Sequence, residues 1–327
     1  MKRLFVLLTA LLLSLSACVG ASAPATQPDT VPSSEESGAA EEMAMEDMNI
    51  VVSLKGPGGG NPFWASVEQG ATDKAAELGV NVTVIAPPTE SDVVAQISQI
   101  EDQLAKGVDA IAIAPADQDA LVPVLEQAIS EGVAVLFIDT KANIEGVTFI
   151  GTDNLAGAEL AARYICDNVP EGSDVAILTG VESQTTAQHR RDGGRAGLEG
   201  CGLNVVAQQT ANWDRAEGQS VMENILTGNP NLTAVFASND NMALGATEAL
   251  KAAGVLDDII MVGFDANPDA AASVLASEMS ATVAQNPYNM GAFGVENAIK
   301  LIKGETLPEV IDTGTILVTA ENAADFQ

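Results

Sequence analysis

Short apolar runs rich in β-branched residues alternate along most of this chain with longer stretches of helical period. The predicted strands are 49–54, 82–86, 110–114, 134–139, 147–151, 174–180, 204–209, 234–238, 259–265, 280–285 and 315–319. Between them, "FWASVEQGATDKAAELG", "VVAQISQIEDQLAKG" and "NMALGATEALKAAG" place apolar residues at helical spacing and end in glycine, the residue that most readily closes a helix. Nearly continuous apolar strands separated by helices describe parallel sheets covered on both faces. "ELGVNVTVI" and "GCGLNVVAQ", about 120 residues apart, hold the same place in two βαβ units, so two similar α/β lobes are expected. In open parallel sheets ligands sit beyond the carboxyl ends of the strands. Two such lobes face to face would line a cleft with those loops.

A length of 327 residues accommodates two lobes, each with its own core. The 45 acidic residues against 14 basic ones, net −31, argue against nucleic acid or an anionic membrane surface as a partner, since both would repel the chain. The first residues carry a destination. "MKR" followed by "LFVLLTALLLSLSA" is a basic segment and an apolar one too short to span and stay, so residues 1–17 read as a secretory signal. The junction "LSAC" resembles the lipobox of bacterial lipoproteins, in which the chain is cut before the cysteine; Cys18 is then the lipidated N-terminus that anchors the protein to the membrane. Residues 18–47, rich in Ala, Ser, Pro and Glu and without an aromatic, read as a flexible acidic tether. The body is therefore expected outside the cytoplasmic membrane, in a periplasm or on a cell surface. Cys166 and Cys201 end nearby helical elements in that oxidising compartment, where either a disulfide or two unpaired thiols fits the spacing. His189 reads as a surface residue.

The stretch "SLKGPGGGNPFW" asks what its glycine-rich turn holds. The spacing is not that of a dinucleotide loop, and no Gly-Lys-Ser/Thr follows, so a phosphate is not indicated. Asn61 and Pro62 are good first residues for a helix. Phe63 and Trp64 then fall at its first turn, where spacing alone favours the core. Other strand ends change the balance. "FIDTK" ends in Asp139, Thr140 and Lys141; "ANWDR" sets Trp213 in a loop; "FASND" ends in Asn239 and Asp240; "VGFD" ends in Asp265; "ATVAQNP" offers Gln285. "TAQHRRDGG" adds arginine to the same side. Aromatic rings for stacking, with carboxylates, amides and a planar guanidinium for paired hydrogen bonds, are what a sugar site requires.

The motifs "NPFW", "FASNDNMALGA", "VGFDANPDA" and "ATVAQNP" together resemble the ribose- and allose-binding branch of the periplasmic sugar-binding proteins of ABC transporters. Their type I periplasmic binding protein fold is shared with the ligand domain of the lactose-repressor family. The resemblance implies two doubly wound parallel-sheet lobes, 48–152 with 286–313 and 153–285 with 314–327, joined by a three-crossing hinge near Thr152, Gln285 and Gly314. It implies a ligand set of Lys55, Asn61, Phe63, Trp64, Asp139, Arg190, Trp213, Asn239, Asp265 and Gln285, with Arg191 as the other register of the arginine. Thr140 stands where ribose-binding members carry an arginine; together with Lys55 and Trp64 this favours an aldohexose such as allose. A monosaccharide closing the two lobes of a monomer, which membrane permease subunits then recognise, is the mechanism implied. It needs no metal, no cofactor and no catalytic dyad. Two rival readings are an exported sugar-acting enzyme that uses Asp139 and Asp265 as its carboxylate pair, and a receptor that delivers a sugar or an autoinducer to a chemosensor.

Overall fold

The computed structural model describes residues 43–327; the signal segment, Cys18 and the tether up to residue 42 lie outside the described residues. Twelve strands and nine α-helices follow among these residues. In the first half β1 (Asn49–Ser53), α1 (Pro62–Leu78), β2 (Asn81–Ile85), α2 (Val93–Lys106), β3 (Ala110–Ile113), α3 (Val122–Ser130), β4 (Ala134–Ile138) and β5 (Phe149–Gly151) alternate. The second half begins with α4 (Asn154–Asn168), β6 (Asp174–Thr179), α5 (Thr185–Gly200), β7 (Asn204–Thr210), α6 (Arg215–Gly228) and β8 (Leu232–Ala237). It continues through α7 (Asp240–Ala253), β9 (Ile260–Asp265), α8 (Pro268–Leu275), β10 (Ala281–Ala284), α9 (Pro287–Ile302), β11 (Val310–Asp312) and β12 (Ile316–Val318).

These strands form two six-stranded sheets, ordered β11-β5-β4-β3-β1-β2 and β12-β10-β9-β8-β6-β7. All pairs are parallel except β10 with β12. The apolar runs behave as their composition dictates: β3 and β10 are buried at every residue, whereas the edge strands β2 and β7 have no fully buried residue. Each sheet carries an apolar layer on both faces, one layer centred on Ile50, Trp64 and Leu136 and the opposite one on Ile111, Leu125 and Phe137 in the first lobe. α1 and α9 cover the first sheet so closely that a Cβ at Gly70 or Gly291 would run into the backbone of the other helix. The chain passes from the first sheet to the second between Gly151 and Asn154, returns between Ala284 and Pro287, and crosses again between Asp312 and Ile316. Thr152 Oγ1 donates to Gln285 Oε1 at 2.7 Å, tying two of these crossings together.

Two features depart from the sequence reading. Residues Met45–Asp47, assigned to the tether, form a 3-10 turn, because the Asn81 side chain donates to Glu46 O at 2.7 Å and Met45 packs on the apolar layer. The short strand β11 carried no pattern strong enough to be read; its outer residues are exposed, so no apolar run marks it. No helix among the described residues is long and apolar enough to cross a membrane.

Cys166 and Cys201 are joined in a disulfide that links the end of α4 to the end of α5 across a sequence separation of 35. Of the two alternatives open in the sequence, the structure takes the bonded one. Closing a loop of that length restricts the unfolded chain by about 3–4 kcal/mol. Replacing both cysteines by alanine is expected to lower stability by that order in chemical denaturation, without moving the cleft, which lies at the other end of the second lobe.

Candidate functional site

The carboxyl ends of both sheets face each other, and the loops that leave them enclose a cavity with about 260 Å3 of empty space. The first lobe contributes Lys55, Asn61, Phe63, Trp64, Glu90 and Asp139, and the second Thr186, Arg190, Trp213, Asn239, Asp265 and Gln285.

Local folding rules fix several of these side chains. Asn61 and Asn239 are the N-caps of α1 and α7: each spends its Oδ1 on a backbone N–H, of Phe63 at 3.1 Å and of Met242 at 2.9 Å. Each amide nitrogen is then aimed by one further bond, Asn61 Nδ2 to Glu90 Oε1 at 3.0 Å and Asn239 Nδ2 to Trp213 O at 3.3 Å. Phe63 and Trp64 meet edge to face with centroids 4.8 Å apart, so they belong to the core of the first lobe and to the cavity wall at once. Asp139, Trp213 and Asp265 hold left-handed backbone, with φ of 58°, 65° and 120°. Such conformations cost non-glycine residues about 1–2 kcal/mol each and concentrate at functional sites. Gly180 lies under Trp213, where a Cβ would run into the indole ring.

Charge is paired within each lobe. Lys55 Nζ lies 3.0 Å from Asp139 Oδ2 and donates to Thr140 Oγ1 at 2.7 Å. The Arg190 guanidinium donates Nε to Asn154 Oδ1 at 2.7 Å and Nη1 to Ser238 O at 2.9 Å, with Asp265 Oδ1 at 3.4 Å, and it stacks 3.9 Å over the Phe264 ring. Gln285 Nε2 donates to Asp265 Oδ1 at 2.6 Å. Burial pushes the Asp265 carboxyl up to about 7, although Arg190 and Gln285 pull it back. Behind it, Asp240 is raised well above the usual range by burial and then by the charge of Asp265; its oxygens accept from Thr282 Oγ1 and Asn267 N, both at 2.7 Å. Glu90 is also pushed up by burial, against the opposing charge of Lys55. Among the described residues there is no group of three His, Cys, Asp or Glu that could hold a metal ion.

The periplasmic binding protein domain model matches residues 50–306. The chain belongs to the periplasmic binding protein family. It is 39% identical over 260 residues to the ribose import binding protein of Bacillus subtilis, covering 79% of this chain and 84% of that one. It is 34% identical over 275 residues to the D-allose-binding periplasmic protein of Escherichia coli, covering 79% of this chain and 88% of that protein. Among solved structures, an ABC transporter periplasmic solute binding protein from Actinobacillus succinogenes with bound D-allose superposes with a TM-score of 0.80 at 28% identity, over 85% of this chain and 99% of that one. The two-lobed α/β architecture is that of type I periplasmic sugar-binding proteins.

In this member of the family the ten residues singled out from sequence all line the one cavity. Of the two arginine registers, Arg190 points inward and is buried, while Arg191 turns outward to pair with Glu182 and Asp192. His189 is exposed. Glu90 and Thr186 were missed. Thr186 could have been found, because it precedes Arg190 by one helical turn and so shares its face. Glu90 follows β2 as Asp139 follows β4, but four residues of loop separate it from the strand end, and spacing carries no signal at that range.

Proposed function

We propose that this periplasmic binding protein captures a neutral monosaccharide, an aldohexose such as allose or a pentose such as ribose, and presents it to the membrane subunits of an ABC importer. In this reading it does so as a monomeric lipoprotein held to the outer face of the cytoplasmic membrane through Cys18 and its tether, and it carries out no chemistry on the sugar. The supporting observation is the set of polar atoms that the protein leaves uncommitted around the cavity. Asp139 spends Oδ2 on Lys55 and Thr140, and Asp265 spends Oδ1 on Gln285 and Arg190. Each keeps its other carboxylate oxygen, and Arg190 keeps Nη2, without a hydrogen-bond partner among the described residues. Acceptors from two carboxylates and a guanidinium donor, set among the rings of Phe63, Trp64 and Trp213, match hydroxyls that both donate and accept on a ring with apolar faces.

A thermal-shift series against pentoses, hexoses and inositols tests the reading. A ligand that binds only the native state at a hundred times its dissociation constant adds about 2.7 kcal/mol. A clear upward shift with a neutral monosaccharide is expected, and no shift with any of them would overturn the proposal. Affinity also carries a pH signature. Hydroxyls that donate to Asp265 stabilise its ionised form, so binding releases a proton wherever that carboxyl is partly neutral. Affinity is expected to rise as the pH approaches about 7 from below and to level off above it. Calorimetry in buffers of different ionisation enthalpy reads that proton directly.

A further inference from the structure

Gln184 stands at the N-cap position of α5, in the second lobe, but its side chain makes no cap bond to that helix. It is wholly buried at the seam between the lobes. A carboxamide has two N–H donors and an oxygen with two lone pairs, and here all four are occupied. Nε2 donates to Glu90 O at 2.8 Å and to Ala116 O at 3.2 Å, both main-chain atoms of the first lobe. Oε1 accepts from Lys55 Nζ at 3.1 Å in the first lobe and from Trp213 Nε1 at 2.8 Å in the second. One side chain thus crosses the seam and holds a cavity-wall residue on each side of it.

Its chain neighbours stitch the same line. Ser183 O accepts from Gln118 N at 3.1 Å, Thr185 Oγ1 accepts from Lys141 N at 3.1 Å, and Thr186 Oγ1 accepts from Lys55 Nζ at 3.3 Å. Lys55 is thereby saturated: its three N–H groups face Asp139, Thr140, Gln184 and Thr186, which leaves no proton for a further acceptor. The ammonium serves closure, although it lines the cavity.

We propose that Gln184 is the latch of the closed arrangement, a positioning residue that joins the lobes through Lys55 and two main-chain carbonyls and fixes the Trp213 ring over the site. Its consequence for ligand release rests on the sugar-capture reading, because a captured sugar leaves only after these bonds part. The latch lies in the segment 183–186, which is not itself one of the three chain crossings.

The test uses the full chain with a donor and an acceptor dye on the exposed faces of α2 and α6, followed by single-molecule energy transfer. Gln184→Met keeps the length of the side chain and removes all four bonds. Gln184→Glu keeps the oxygen that faces Lys55 and Trp213 but sets a second oxygen against two carbonyls. Circular dichroism establishes that both are folded. Without sugar, each variant is expected to lower the ratio of closed to open molecules by about tenfold or more. With D-allose or D-ribose as the probe, dissociation is expected to quicken by a similar factor. A closed-to-open ratio in the variants equal to that of the unmodified protein overturns the latch. An unmodified protein that responds to no sugar overturns the sugar reading instead, and the ratios measured without sugar still decide the latch.

Discussion

Replacing Asp265 with alanine is expected to weaken monosaccharide binding by about 100-fold or more while the protein remains folded. Truncating one partner of a buried, hydrogen-bonded charge pair costs about 2–5 kcal/mol of affinity, much of it from the partner left behind. Here the partner is Arg190, 3.4 Å away and itself buried, and the same carboxylate also orders Gln285 at 2.6 Å. The uncommitted oxygen of Asp265 is one of the carboxylate acceptors the cavity offers to a hydroxyl, so the variant loses a direct contact as well as two oriented neighbours. Titration calorimetry with D-allose and D-ribose measures the loss, and a melt without sugar separates it from damage to the fold. Asp265→Asn keeps the shape and one acceptor, and should lose less. Unchanged affinity in the alanine variant would mean that the sugar sits elsewhere.

The strands and the helix starts were legible because their signals are local. β1, β3, β4 and β10 are buried on both faces, so their composition is nearly all apolar, and Asn61-Pro62 announces α1 by cap chemistry alone. The site was legible for a related reason. In a parallel sheet every strand ends on the same side, so knowing where Asp139, Asn239 and Asp265 stand in the chain also places them in space. What stayed hidden depends on the two lobes meeting. Nothing near Gln184 in sequence distinguishes it from a poor helix cap; its partners are 29 to 129 positions away. The left-handed backbone at Asp139, Trp213 and Asp265 was equally invisible, since none of the three is glycine or asparagine. Their strain is held by neighbours on other strands: Asp139 N donates to Ile150 O at 2.9 Å, and Ala266 N, just past Asp265, donates to Thr282 Oγ1 at 3.3 Å. Fixing the loops in this way aims the carboxylates before a ligand arrives, which lowers the ordering cost of binding.

Arg190→Met is expected to lower stability by about 3–5 kcal/mol at alkaline pH, and by much less at neutral pH and in acid. The guanidinium is the cation paired with Asp265, and its charge also lowers the buried carboxyl of Asp240. Methionine can fill the stem's place over Phe264 but leaves both acids uncompensated and strands the carbonyl of Ser238 and the amide oxygen of Asn154. The pH dependence follows from the direction of the shifts. Asp265 is already raised to about 7 with Arg190 present, and removing the cation raises it further. A carboxyl whose folded value lies above its unfolded value favours the fold only when protonated, so its cost accumulates as pH rises from the ordinary carboxylate range to the folded value and is constant beyond. The stabilisation that Arg190 supplies through Asp265 is therefore nearly absent below about 7, where the carboxyl is neutral with or without its partner; it opens as the pH rises above about 7 and is complete only above the higher value the carboxyl takes in the variant. Denaturant melts of the variant and the unmodified protein should accordingly diverge with rising pH and converge toward the residual cost of the bonds to Asn154 and Ser238. A gap that is constant across pH would show that Arg190 acts by packing and neutral hydrogen bonds alone, and that the buried carboxylates are compensated by some other group.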